Sequence, residues 1–322
     1  MTQLAGFIPS IPLKTAVLFL VFNRPDTTAQ VFKAIRKAKP PRLYVAADGS
    51  RPGRKGEAEK VAKVREIATE VDWHCEIKTL FRNDNLGCKH AVSGAITWFF
   101  ENEEQGIILE DDCVPNQSFF WFCESLLNLY KNNMSIGIIS GNNFYDRNIC
   151  SKTSYHFSIH GGIWGWASWS RVWRDYTPDL INLDPIKIGN LKKKLNNKFH
   201  SKALISQLHS IKSGKLDTWD VQFAYMRYMR GYLCVRPKNN LVSNIGLGHI
   251  DASHTKMRNN DNCIYTESND LAFPLKHPSA VIADVNSDNR LSSQQYKSNY
   301  SYGRIKKNIL NFLKIINPSK LS

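Results

Sequence analysis

The chain lacks most of the short signatures from which a function is read directly. Its seven cysteines (Cys75, Cys88, Cys113, Cys123, Cys150, Cys234 and Cys263) are an odd number without a C-x-x-C pair. That argues for free thiols in a reducing cytosol, not for a disulfide frame or a zinc site. The longest apolar run, Ala16 to Phe22, is far short of the roughly 20 residues that span a bilayer. The N-terminus has neither the basic start nor the long apolar segment of a signal peptide. A soluble, cytoplasmic protein is therefore expected. Neither GxGxxG nor GxxxxGK[ST] occurs, which excludes a dinucleotide fingerprint and a P-loop. Zinc-finger and RNP-like patterns are missing too, so nucleic acid is not an expected partner despite a formal charge of +15. The positive charge gathers in Lys187–Lys215 and from Arg304 to Lys320, and suits anionic small molecules or an anionic surface.

What is present describes a folded α/β chain. With 322 residues, 42% apolar and 11% aromatic, it can bury a full core. Thr15–Phe22 is an apolar run suited to a buried parallel strand, followed by helical spacing over Thr27–Lys39. Strands at Arg42–Ala47 and Glu76–Phe81 then alternate with helices over Gly53–Glu70 and roughly Lys89–Phe100. After a further strand come a helix at Ser118–Tyr130 and a strand at Ile136–Ser140. Such alternation predicts a mostly parallel sheet flanked by helices, with ligands at the C-terminal strand ends.

Those ends carry the polar residues. Gly106–Leu109 closes on Glu110-Asp111-Asp112, and Pro115 bars continuation as a central strand. Adjacent carboxylates repel, and stay ionised cheaply only in water or beside a cation. Hard oxygen ligands of this kind favour Mg²⁺ or Mn²⁺. Asn23-Arg24-Pro25 ends the first strand and Asp48-Gly49 the second, so all three clusters can meet in one crevice.

A first strand ending in Asn-Arg-Pro, a second in Asp-Gly, an Asn-x-Gly turn before a helix and an acidic triplet closing a later strand together resemble GT-A glycosyltransferases. The likeness is to bacterial family-two-like sugar transferases and, more distantly, to the N-acetylglucosaminyltransferase that starts complex N-glycan branches. It spans most of residues 14–256 and implies a nucleotide-sugar half (14–145), an acceptor half (146–256) and a C-terminal extension (257–322). It implies that Arg24 and Asp48 contact the nucleotide base, that Glu110 and Asp111 lie near donor sugar and ribose, and that Asp112 ligates the metal. Lys89 would reach a phosphate, and His254 would sit in a loop covering the donor. Trp219-Asp220 resembles a family Trp-Asp whose acid is the catalytic base; the continuation Val221-Gln222 departs from the family, leaving Asp217 as the fallback.

Residues of the second half suit the acceptor. Gly161 to Trp169 sets three tryptophans among small residues, and Trp164 and Trp166 are the expected sugar platform, although Trp166, Trp169 and Trp173 also have helical spacing. From Gly303 the tail has the spacing of a basic amphipathic helix, able to dock on the protein or on anionic lipid. The resulting expectation is a Mn²⁺- or Mg²⁺-dependent, inverting transfer from a nucleotide-diphosphate sugar to a glycan or lipid-linked acceptor in surface-polysaccharide biosynthesis. It would take place in the cytoplasm, at the inner face of the membrane where the tail binds lipid. The alternatives are a sugar nucleotidyltransferase and a non-catalytic sugar- or nucleic-acid-binding protein.

Overall fold

Five consecutive apolar residues with no polar alternation need cover on both faces, and Val17–Val21 (β1) has it: all five are buried at the centre of an eight-stranded sheet. In the computed structural model, residues 7–143, 152–180, 183–246, 248 and 268–293 are described. β2 (Arg42–Ala47) and β4 (Gln105–Glu110) flank β1 in parallel, and β3 (Glu76–Phe81) pairs in parallel with β2. The crossovers are α1 (Pro25–Ala38), α2 (Glu57–Thr69) and α3 (Gly87–Asn102). Sequence alternation foretold each of these elements to within a few residues.

The full order is β3-β2-β1-β4-β8-β6-β9-β7, so the chain is mixed α/β with a mostly parallel sheet flanked by helices. β5 (Cys113–Pro115) leaves that sheet and pairs with β10 (Val242–Asn244) as a separate two-stranded ribbon, as Pro115 requires. α4 (Gln117–Leu129) leads to β6 (Ile136–Ser140), β7 (Tyr155–Ser158) and β8 (Trp166–Trp169). Trp166–Trp169 is therefore a strand, and only the following turn, α5 (Ser170–Trp173), is helical. The helical spacing of the three tryptophans is overridden because β8 enters the sheet antiparallel between β4 and β6. Close packing makes this possible: a Cβ on Gly106, opposite Ser168, would lie 2.2 Å from the Phe99 ring.

α6 (Pro185–Leu195), α7 (Lys198–Lys212) and α8 (Asp220–Arg230) form a satellite with its own core around Leu191, Leu195, Leu204 and Leu208. β9 (Leu233–Pro237) returns the chain to the main sheet, and α9 (Val285–Ser292) packs on β7. Strands from both sides of residue 145 thus share one sheet. The five described cysteines are unpaired, and among the described residues no helix is long and apolar enough to cross a membrane. The tail from Gly303 lies outside the described residues.

Candidate active site

Sheet order reverses between β1 and β4: from β1 the chain moves outward to β2 and β3, then returns to β4 on the other side. A crevice opens where the strands on either side of such a point diverge. Here it is a cavity of about 470 Å³, lined by residues from the ends of β1, β2 and β4, from α3, and from the segment entering α8. The three polar strand ends do converge in it: Asn23 and Arg24, Asp48, and Glu110 to Asp112.

The acidic triplet is organised by arginine. Arg24 bonds Asp111 through one guanidinium nitrogen and Asp112 Oδ2 through another at 2.9 Å. Burial opposes the charge on Arg24, but the two carboxylates outweigh it and its pKa rises. Burial lifts Asp111 to about 6 despite Arg24, and the Phe22 amide also donates to it at 3.2 Å. The Glu110 carboxyl makes no hydrogen bond or ion pair with the described residues. Burial, then the charges of Asp112, Asp111 and Asp220, push it up to about 8. The triplet thus ends as one carboxyl driven towards its protonated form and two carboxylates sharing one guanidinium.

That arrangement does not fit the expected Mg²⁺ or Mn²⁺. Asp112 gives Oδ2 to Arg24 and accepts from Cys113 Sγ at Oδ1, at 3.3 Å. Among the described residues no three His, Cys, Asp or Glu side chains gather as a metal site. The segment that leaves the ribbon packs tightly on this pair, since a Cβ on Gly246 would fall 2.2 Å from Asp112 Oδ2 and 2.6 Å from Arg24.

Asp48 and Asp217 have a shared task that differs from the ones expected of them. Asp48, 8% exposed, accepts the Leu86 and Gly87 amides at 3.0 and 3.1 Å. Asp217 accepts the Cys88 and Lys89 amides at 2.8 and 3.0 Å. Between them the two carboxylates take the free N–H groups that begin α3. Asp217, which also lines the cavity, is a cap supplied from another element. Asp220, the first residue of α8, lines the cavity and accepts from Thr218 Oγ1.

Other expected site residues lie elsewhere. Lys89 reaches out to Asp179 at 3.0 Å and takes no part in the cavity wall. Trp166 is wholly buried, stacked on Trp219 at 5.8 Å and 22°, and cannot face a sugar. Trp164 does line the cavity, its amide held by Asn142 Oδ1 at 3.1 Å. His254 lies outside the described residues.

Sequence reasoning missed Arg51 and Arg82. Arg51 is tied to Glu57, whose acidity its hydrogen bonds increase, bringing Glu57 down to about 2. Arg82 is half-buried in the cavity wall, and neither hydrogen bond nor ion pair joins its guanidinium to the described residues. Burial lowers its pKa and the charge of Asp48 works the other way. The signal was available: Arg82 directly follows β3 and Arg51 lies just beyond β2, at the same end of the sheet as Arg24.

No family model and no curated protein matches the chain. Among solved structures, two matches are crystal structures of HddC from Yersinia pseudotuberculosis, the second complexed with GMP-PN. They cover 53% of this chain and 85% of HddC, at 9% and 8% identity with TM-scores of 0.29 and 0.30. Likeness that slight does not carry a function across. The functional expectation is nonetheless corrected. The site itself withdraws parts that the glycosyltransferase reading needs. Asp112 is committed to Arg24, Asp217 is a cap, Lys89 faces Asp179 and Trp166 is core.

Proposed function

We propose that the crevice binds a nucleotide through its phosphates, and that the protein is a nucleotide-handling enzyme of the nucleotidyl-transfer type. One observation carries the proposal: of the three arginines in the cavity wall, Arg24 and Arg51 are ion-paired with carboxylates, whereas Arg82 forms no ion pair with the described residues and feels only the more distant charge of Asp48. A half-buried guanidinium is costly to leave without a directly bonded anion, and its planar donors match phosphate oxygens. The volume, about 470 Å³, suits a small-molecule ligand, and Ala46, Ala91, Val92, Ile163 and Trp164 add an apolar wall for a base. The GMP-PN in one HddC structure belongs to this ligand class.

A nucleotidyltransferase needs cations beside the triphosphate, ordinarily from a glycine-rich basic loop after the first strand. This chain has Asn23-Arg24-Pro25 there, and Arg82 after β3 is the group that would serve instead. In such a reaction a phosphate oxygen of a sugar phosphate attacks the α-phosphorus of a nucleoside triphosphate, and pyrophosphate leaves. Arg82 would offset charge gathering on the leaving group. Glu110, protonated at neutral pH, would donate a hydrogen bond without adding negative charge beside the phosphates.

The test is a thermal-shift panel of nucleoside triphosphates and diphosphates, with and without Mn²⁺, on the wild type and Arg82→Ala. A nucleotide at a hundredfold its Kd stabilises by about 2.7 kcal/mol, a readily visible shift. Stabilisation by one base class, lost in Arg82→Ala, followed by pyrophosphate release from that triphosphate with a sugar 1-phosphate, is the expected result. No shift with any nucleotide, or an undiminished shift in Arg82→Ala, overturns the proposal. Binding without pyrophosphate release leaves a nucleotide-binding protein and removes the transfer.

A further inference from the structure

The satellite helices carry a charge pattern that the crevice does not use. From Pro185 to Leu216, across α6 and α7, there are eight lysines and no aspartate, glutamate or arginine. Lys192, Lys193, Lys194, Lys198, Lys212 and Lys215 are exposed, and none makes an ion pair with the described residues. Self-repulsion among so many like charges opposes folding of the pair. Helix stability accounts for only part of the pattern. Lys192, Lys193 and Lys194 occupy the last turn of α6, where cations complement the helix dipole. Lys198, however, opens α7, at the end of a helix where a cation is unfavourable. It faces the same inter-helix turn, at Asn196 and Asn197, so four lysines crowd one tip.

The other end of α6 shows the apolar half of the pattern. Ile186 is 75% exposed beside Pro185, one of the most exposed large apolar side chains among the described residues. A lysine cluster at one end of α6 and an exposed isoleucine at the other suit a lipid headgroup layer, where the ammonium groups meet anionic headgroups and the apolar side chain enters the acyl boundary. Nucleic acid is the poorer match. Its readers rely on arginine for bidentate phosphate contacts and on exposed aromatic rings for stacking. This stretch has no arginine, and its one aromatic ring apart from histidine, Phe199, is half-buried.

We infer that α6 and α7 form a docking surface for an anionic membrane, through the lysines around the Asn196-Asn197 turn and the exposed Ile186. The inference is independent of what the crevice binds.

It is tested on the full chain by co-sedimentation with vesicles of phosphatidylcholine alone and of phosphatidylcholine mixed with phosphatidylglycerol, at low and high salt. Binding is expected only to the mixed vesicles and weakens with salt. Each lysine near such a surface is worth about a fivefold change in partition coefficient. A Lys192→Gln, Lys193→Gln, Lys194→Gln, Lys198→Gln variant should therefore lose more than tenfold while melting like the wild type. Ile186→Ser should weaken binding at high salt more than at low salt, a split that simple surface charge would not produce. Equal binding by the four-lysine variant, no binding to either vesicle, or loss only on deleting residues 304–322, overturns the assignment. So does salt-sensitive binding of duplex DNA with no vesicle binding.

Discussion

At the scale of single residues the site turns on how Glu110, Asp111 and Asp112 share too few cations. Arg24 serves two of them, so Glu110 keeps its proton, with its pKa pushed up to about 8. Its ordinary value is 4.5, so between about 4.5 and 8 the folded protein holds a proton that the unfolded chain has released. Stability from this group is therefore lost as pH rises through that window. Glu110→Gln removes the titration while keeping the shape. Its Tm advantage over the wild type should be small at pH 5 and grow by about 2 °C or more towards pH 8. Melting curves across that range check this, and parallel pH profiles for the two proteins would show that Glu110 ionises freely. That carboxylates would cluster was readable in Glu-Asp-Asp. Which of them Arg24 neutralises was not, because it depends on the angle at which β1 delivers that side chain.

At the scale of elements, the N-terminus of α3 is the joint between the parallel sheet and the helical satellite. Asp48 comes from the end of β2 and Asp217 from the approach to α8, and both spend their oxygens on α3 amides. Asp217→Ala should cost about 1 kcal/mol, as the loss of a helix cap does. A urea melt would show it as a lower midpoint at unchanged slope, and an unaltered midpoint would mean that water replaces the cap at no cost. The regular α/β elements were legible because each strand is an apolar run and each crossover helix has a 3.6-residue period. Trp166–Trp169 misled for a related reason: in a strand covered on both faces every residue is apolar or small, so the period that distinguishes strand from helix disappears. Asp217 has the residue type of a cap for the helix it precedes, yet it caps α3 instead, because a cap contributed by a distant segment leaves no local signature.

At the scale of the whole molecule, convergence of the polar strand ends was foreseeable from the alternation rule, and the sheet bears it out. The strand order beyond β4 was not, since it depends on pairings between segments more than fifty residues apart in sequence, such as β4 with β8. The placement of β8 also has a consequence for synthesis. β4 pairs with β1 as soon as both are made, but its outer edge waits for Trp166–Trp169, and β6 has no partner until β8 and β9 exist. A nascent chain paused near residue 145 therefore presents two apolar strand edges with nothing to close them. A fragment ending there should elute as aggregate on size exclusion, whereas one ending at 246 should run as a single compact species. A monomeric, cooperatively melting short fragment would mean that the first four strands are self-sufficient. Expression of this protein is then governed less by its final stability than by the interval between translating β4 and translating β8.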